Sequence, residues 1–164
     1  MEKVKNSIFF MLVAASGFLA VLCTLPSCNK DNGIKPPDAP FPFPLAPKIK
    51  FESVAPTTIS EYKDSITFQI SYRDSDGDLG ENNPNISNLF LIDNRINVTY
   101  NFRISQLAPD NANITISGNI AVVLPNTGIT DNSSSQKADY TIYVKDRAGN
   151  TSNFVTSSQI TVNK

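Results

Sequence analysis

The chain has 164 residues, a formal net charge of −1, and neither histidine nor tryptophan. This charge balance, without a concentrated Lys/Arg segment, argues against a nucleic-acid partner, which would need a basic surface. The lack of histidine removes the commonest general base and the commonest transition-metal ligand, and so disfavours many classes of enzyme.

The N-terminal segment predicts an export signal. Residues 2–7 are polar and carry two lysines, and residues 8–22 form an apolar run that only Ser16 and Gly17 interrupt. A membrane-spanning helix needs about 20 apolar residues, so this run is short for a permanent span and typical of a signal-peptide core. We therefore predict a signal peptide over residues 1–27. An ordinary secretory signal, cleaved elsewhere, is the alternative.

A lipidation motif follows the apolar run. Leu25, Ser27 and Cys28 resemble the lipobox of bacterial lipoproteins, and residues 29–31 resemble part of the surface-export tag of Bacteroidota-type lipoproteins. The resemblance implies that Cys28 carries several acyl chains. It also implies a location on the outer membrane, at the cell surface or on the periplasmic face. Each buried lipid methylene contributes about 0.8 kcal/mol, and stable anchoring needs more than one chain.

Cleavage before Cys28 would leave a mature domain without a disulfide. The only other cysteine, Cys23, lies in the predicted signal peptide. Exported domains often rely on disulfides for stability, so this one must rely on its hydrophobic core, with or without the help of an ion.

Residues 28–48 are rich in proline and predict a tether. Proline fixes φ and removes a backbone donor, which disfavours helix and central strand. An extended spacer of about 3.1 Å per residue is expected, and a ligand for a proline-reading domain is the alternative. Phe41, Phe43 and Leu45 are expected to pack against the first strand of the following domain.

The remainder, residues 49–164, predicts an all-β domain. Apolar and polar residues alternate in short segments separated by turn-forming residues, the pattern of strands with one face on a core and one in water. Seven or eight such strands favour an immunoglobulin-like antiparallel β-sandwich. The segments are residues 49–54, 66–72, 88–92, 98–104, 114–124, 140–144 and 154–162.

Two stretches of this domain resemble bacterial surface modules. Residues 144–152 are similar to the penultimate strand and final hairpin of immunoglobulin-like and cadherin-like domains, and residues 72–80 are similar to a loop common in lipoproteins of this kind. The resemblance implies a fold family and no particular activity. Tyr143 is expected to place an aromatic ring on the outer face of its strand.

The acidic loop that follows the predicted strand of residues 66–72 indicates a metal site. Asp74, Asp76 and Asp78 place three carboxylates at alternate positions, and Gly77 and Gly80 allow the chain to turn back. Clustered carboxylates repel one another unless a cation lies among them. Ca²⁺ suits them because it accepts six to eight oxygen ligands in irregular geometry, whereas Mg²⁺ needs a stricter octahedron and Zn²⁺ prefers nitrogen or sulfur.

The loop is not an EF-hand, because its sixth residue is Leu79 and its twelfth is Asn85. Further ligands must come from elsewhere. Alternate loops of an immunoglobulin-like sandwich gather at one end, which makes Asp146 the best distant candidate for a fourth carboxylate and Glu81 a nearer one.

The alternative is a solvated acidic turn without an ion. Aspartate and glycine would then serve turn geometry only, and Arg73 or Arg147 would neutralise the charge.

Three functions compete. The first is a non-enzymatic surface module that binds a glycan or protein, or acts as an accessory in an outer-membrane assembly. The second is a structural spacer without a binding surface, and the third is a small glycosidase with paired carboxylates. An exposed aromatic or apolar patch would favour the binder, and a deep pocket with two separated carboxylates would favour the enzyme. The sequence favours a non-enzyme, because its carboxylates cluster in one tight loop.

Overall fold

The structure, a computed structural model, describes residues 45–164. The predicted signal peptide, Cys28, most of the predicted tether, Phe41 and Phe43 lie outside the described residues. Leu45 is 59% exposed, so the expectation that it packs against the first strand is wrong. The described part of the chain contains no helix of the length and apolar character that crossing a membrane requires.

The all-β prediction is confirmed. Residues 45–164 form ten strands and no helix. The strands are β1 (Lys48–Ala55), β2 (Thr58–Ser60), β3 (Ile66–Asp74), β4 (Leu89–Asp93), β5 (Val98–Phe102), β6 (Ile116–Leu124), β7 (Ser135–Ala138), β8 (Tyr140–Val144), β9 (Val155–Thr156) and β10 (Ile160–Asn163).

Three sheets make up the domain, in an arrangement consistent with a β-sandwich. Their strand orders are β1-β3-β6, β5-β4-β8-β9 and β2-β10-β7. All pairings between strands are antiparallel except that of β2 with β10, which is parallel.

The structure has more strands than the seven or eight predicted. β2 and β7 have little apolar alternation of their own and exist because both pair with β10. The predicted strand over residues 154–162 is divided into β9 and β10, because Ser157 interrupts it. The Ser157 hydroxyl accepts a hydrogen bond from the backbone N–H of Tyr140 (3.0 Å) and donates one to the carbonyl of Ser158 (3.0 Å).

One hydrophobic core joins the sheets. Alternate residues of β3, β4, β8 and β10 point inward and are almost fully buried, as their sequence alternation predicted. Phe68 and Tyr140 meet edge to face at its centre, with ring centroids 5.1 Å apart. Such aromatic pairs add about 0.5–1.5 kcal/mol beyond the area they bury.

A buried ion pair lies at the end of the domain where β4 stops and β8 begins. The Arg95 guanidinium donates to both carboxylate oxygens of Asp93, at 2.9 and 2.6 Å. It also donates to the Thr127 hydroxyl, the Gly128 carbonyl and the Gln136 side chain. Only 9% of the Arg95 side chain and none of the Asp93 side chain is exposed. At this end of the domain, Arg95 therefore serves as the counter-ion of the buried Asp93 carboxylate.

Candidate metal site

The opposite end of the domain holds the predicted acidic loop. Asp74 is the last residue of β3, and the chain then turns through Gly77 (φ 77°) and Gly80 (φ 95°). A Cβ atom on Gly77 would lie 2.4 Å from the Ile114 carbonyl oxygen. Glycine is therefore required there both for its positive φ and for the close approach of the β5–β6 segment.

The loop brings three carboxylates together. One oxygen from each of Asp74, Asp76 and Asp78 lies within 4.8 Å of the others. The Oδ1 atoms of all three are shielded from solvent and have no hydrogen-bond partner among the described residues. Buried carboxylate oxygens without partners are costly, and a bound cation removes that cost.

The other oxygens of two of these carboxylates are engaged. Asp74 Oδ2 accepts a hydrogen bond from the backbone N–H of Leu79 (2.8 Å), and Asp78 Oδ2 accepts one from the N–H of Ala148 (3.1 Å). These bonds hold two of the three carboxylates in place while the Oδ1 atoms stay unpaired. The arrangement suits a cation that accepts one oxygen from each residue.

The electrostatics of the cluster are unfavourable without a cation. Burial, reinforced by the negative charges of Asp76 and Asp78, raises the pKa of Asp74 from 3.8 to about 6. Burial and the charges of Asp146 and Asp76 also raise the pKa of Asp78. Both shifts show that the fold disfavours the ionised form, the form that binds a metal ion.

Asp146 is a neighbour of the cluster and is not one of its three grouped carboxylates. Its backbone bridges to Leu79, which brings the β3–β4 and β8–β9 loops together as the sequence predicted. Its side-chain oxygens accept hydrogen bonds from the backbone N–H (2.7 Å) and the amide (2.9 Å) of Asn150. Asp146 thus shapes the β8–β9 turn. The nearer candidate, Glu81, accepts a hydrogen bond from the N–H of Asn83 (2.9 Å) and is also outside the group.

The arginines do not neutralise the cluster by direct ion pairs. Within residues 45–164, no ion pair joins Arg73 or Arg147 to the three aspartates. Arg147 donates to the carbonyls of Gly80 (3.0 Å) and Gly77 (3.4 Å), and its Nε lies 3.7 Å from Asp110. Arg147 therefore braces the loop through its backbone carbonyls and forms no ion pair with the three aspartates.

A groove beside the cluster was not predicted from the sequence. Asp76 and Asp78 line it together with Asn111 and Asn113 of the β5–β6 segment, and its volume is about 460 Å³. Both asparagines have positive φ. Because this segment is distant in sequence, only the fold could reveal it. The groove gives water access to one side of the cluster, and Ca²⁺ commonly completes its coordination with water.

A second feature is a row of aromatic rings on the outer face of the β5-β4-β8-β9 sheet. Phe90 and Tyr143 pair across β4 and β8 and stack with centroids 4.7 Å apart. Phe154, just before β9, lies 4.9 Å from Tyr143 and is 60% exposed, and Lys145 Nζ lies 5.6 Å from the Phe90 centroid. We call Phe90, Tyr143 and Phe154 the aromatic row. Tyr143 thus faces outward, as predicted.

No protein-family model matches the chain, and no curated protein matches its sequence.

Proposed function

We propose that this protein is a membrane-anchored, non-catalytic binding module of the cell surface. Its immunoglobulin-like domain would be stabilised by a Ca²⁺ ion bound by Asp74, Asp76 and Asp78. Two observations together carry the cation: the three carboxylates each place one oxygen within 4.8 Å of the others, and the Oδ1 atom of each is shielded from solvent without a hydrogen-bond partner among the described residues.

The strand order supports the immunoglobulin-like assignment. Such domains place strands A, B, E and D in one sheet and C, F and G in the other, and the variable type adds strands beside C. The sheet β1-β3-β6 corresponds to A-B-E, and the sheet β5-β4-β8-β9 corresponds to C-F-G with β5 added beside β4, if β9 and β10 form one interrupted final strand.

The chemistry of the ligands favours Ca²⁺ over other metals. The three residues offer only carboxylate oxygens, which hard cations prefer, and the chain has no histidine to attract Zn²⁺. The irregular loop also suits the flexible coordination of Ca²⁺ better than the octahedron that Mg²⁺ requires.

The aromatic row supports binding over a purely structural spacer. Exposed aromatic clusters on soluble domains commonly mark interaction surfaces. Phe90 and Tyr143 stack on each other, so Phe154 offers the most accessible ring. A glycan or a protein could pack against that ring, with Lys145 and the exposed Asn101 available for polar contacts.

The position of the carboxylates supports a non-catalytic domain. A glycosidase needs two carboxyl groups that reach a sugar from opposite sides. Here the three carboxylates lie together in one loop and their Oδ1 atoms are shielded from solvent, which suits an enclosed ion better than a substrate.

Replacing Cys28 with alanine is expected to abolish anchoring. The lipobox resemblance makes Cys28 the only acceptor of the lipid chains, so the variant should move from the membrane fraction to the soluble fraction and lose label from an alkyne fatty acid. Cys23→Ala is the matched control and should still be labelled. Equal labelling of the Cys28→Ala protein would contradict the anchor.

Replacing Phe154 with alanine is expected to weaken glycan binding at least tenfold, because truncating a binding hot spot costs about 2 kcal/mol or more. Binding can be measured on an array of defined oligosaccharides and then by calorimetry with the best of them. Tyr62→Ala is the control, because Tyr62 is 68% exposed and lies outside the row. The absence of any bound glycan, or an equal loss in both variants, would contradict a glycan-binding row.

A further inference from the structure

The β6 strand leaves one edge of the domain open. It has nine residues, and within residues 45–164 it pairs with β3 alone. No turn or loop of the described chain makes a backbone hydrogen bond to it. Half of its backbone groups therefore face outward, where they can pair with another strand.

The core is incomplete along this edge. Val122 and Leu124 point inward and are 3% and 2% exposed. Ile116 and Ile120 point the same way and pack against the core, yet they are only partly buried. A further strand beside β6 would cover both isoleucines. Burial of their apolar surface would then favour pairing, in addition to the backbone hydrogen bonds.

The other long edge strand is protected, in contrast to β6. β1 carries Lys48, Lys50 and Glu52 and has an irregular register between Phe51 and Ser53. The Asn153 side chain also occupies its edge, accepting from the Ile49 N–H (2.9 Å) and donating to the Ile49 carbonyl (2.8 Å). Charges, irregularities and covering groups are the usual means of preventing edge pairing.

β6 has none of these protections. No charged residue occurs from residue 111 to residue 130, and the first proline after the start of β6 is Pro125, beyond its end. A natural protein that leaves such an edge uncharged and regular normally pairs it with another strand.

We propose that β6 is an interface for a second copy of this chain. The two β6 strands would pair antiparallel about a two-fold axis at Ile120, the middle residue of the strand. Ile120 then faces its own copy and Ile116 faces Leu124 of the second copy, so that the two apolar rows form one continuous core.

Charge and symmetry favour a second copy over a different partner. An uncharged strand can pair with itself without the repulsion that like charges directly opposite each other cause. A two-fold contact uses the same surface on both copies and closes on itself. Because β1 protects the far edge of the β1-β3-β6 sheet, pairing through β6 does not continue from one copy to the next across this sheet.

The first test measures the association of the full chain in density-matched detergent by sedimentation equilibrium. The unmodified chain should show a monomer–dimer equilibrium between about 1 μM and 1 mM, the range of modest protein affinities. Asn119 and Ala121 are exposed and would lie opposite each other across the axis. The N119K/A121K variant should therefore raise the dimer dissociation constant at least tenfold.

A charge swap identifies the register. N119K/A121K and N119E/A121E should each be monomeric alone and should form a heterodimer when mixed, because opposite charges then face each other. S53K/A55K places the same charges on β1 at exposed positions and is the matched control, which should dimerise like the unmodified chain. Unchanged melting temperatures would show that the variants fold.

Three results would overturn the proposal. They are a monomeric unmodified chain at 1 mM, dimerisation of N119K/A121K at the original affinity, and failure of the oppositely charged variants to associate. Amide hydrogen exchange of residues 116–124 provides a fourth test. Protection of the outward-facing amides should increase with concentration, and protection in the monomer would instead assign the edge to another segment of the same chain.

Discussion

Replacing Arg95 with alanine is expected to lower the free energy of unfolding by about 3–5 kcal/mol, the usual result of removing one partner of a buried ion pair. The variant would leave the Asp93 carboxylate fully buried without its guanidinium partner. It would also remove the donors to Thr127, Gly128 and Gln136. Urea denaturation followed by circular dichroism measures the change.

The exposed pair of Lys50 and Glu52 provides a matched control. It has the same sequence spacing and an N–O distance of 3.3 Å, but the lysine side chain is 76% exposed. Exposed pairs contribute about 0–1 kcal/mol, so Lys50→Ala should change stability little. Asp93→Asn combined with Arg95→Ala should recover part of the loss. Equal effects of Arg95→Ala and Lys50→Ala would contradict the structural role of the buried pair.

Saturating Ca²⁺ is expected to raise the melting temperature by about 10 °C. A ligand at 100 times its dissociation constant adds about 2.7 kcal/mol to folding, and each kilocalorie raises the melting temperature of a domain of this size by several degrees. The physical cause is neutralisation of the three unpaired oxygens of Asp74, Asp76 and Asp78. Differential scanning calorimetry with Ca²⁺ and with EDTA measures the difference.

The Asp74→Asn variant distinguishes the effect of Ca²⁺ binding on stability from the effect of the loop's hydrogen bonding. The amide keeps an oxygen for the Leu79 N–H and removes one negative charge, so the variant in EDTA should melt above the unmodified chain in EDTA. It should nevertheless lose most of the response to Ca²⁺. Asp139→Asn removes the same charge at the opposite end and is the control, which should respond normally. An unchanged melting temperature and no binding heat at millimolar Ca²⁺ would contradict the site.

The same measurements should depend on pH. The folded chain raises the pKa of Asp74 from 3.8 to about 6, so it binds more protons than the unfolded chain between these values. Stability in EDTA should therefore fall as the pH rises through this window and stay low above it. Protons compete with Ca²⁺ for the same carboxylate, so the Ca²⁺ increment should be smaller at about pH 5 than at neutral pH.

The two ends of the domain differ in how the negative charge of buried aspartate is neutralised. Each buries aspartate beside a turn that follows a strand. At the β4 end the chain supplies its own cation, Arg95, which contacts both oxygens of Asp93. At the β3 end Arg147 donates to backbone carbonyls and lies near Asp110, and it forms no ion pair with the three aspartates. This difference explains why an external cation is expected only at the β3 end.

The fold class and the acidic cluster could be predicted because their signals are local. Alternation within β3, β4 and β8 reports the core directly, and the spacing of Asp74, Asp76 and Asp78 places three carboxylates in one turn. The strands β2 and β7 could not be predicted, because β10 stabilises them from a distant part of the chain.

The buried arginine escaped prediction for a similar reason. Arg95 follows Asp93 by two residues in a polar turn, which resembles an ordinary exposed pair. Its burial depends on Thr127, Gly128 and Gln136, which are 32 to 41 residues away. No pattern within the turn itself reports those partners.

The position of β10 between β2 and β7 has a consequence for the order of folding. Residues 160–163 must be present before either neighbour can pair, and Ile49 also needs Asn153, 104 residues later, to cover its backbone. Contacts between such distant residues close large loops and slow the search for the native state. A growing chain therefore cannot complete the β2-β10-β7 sheet until residues 160–163 have emerged, so this sheet is expected to form last.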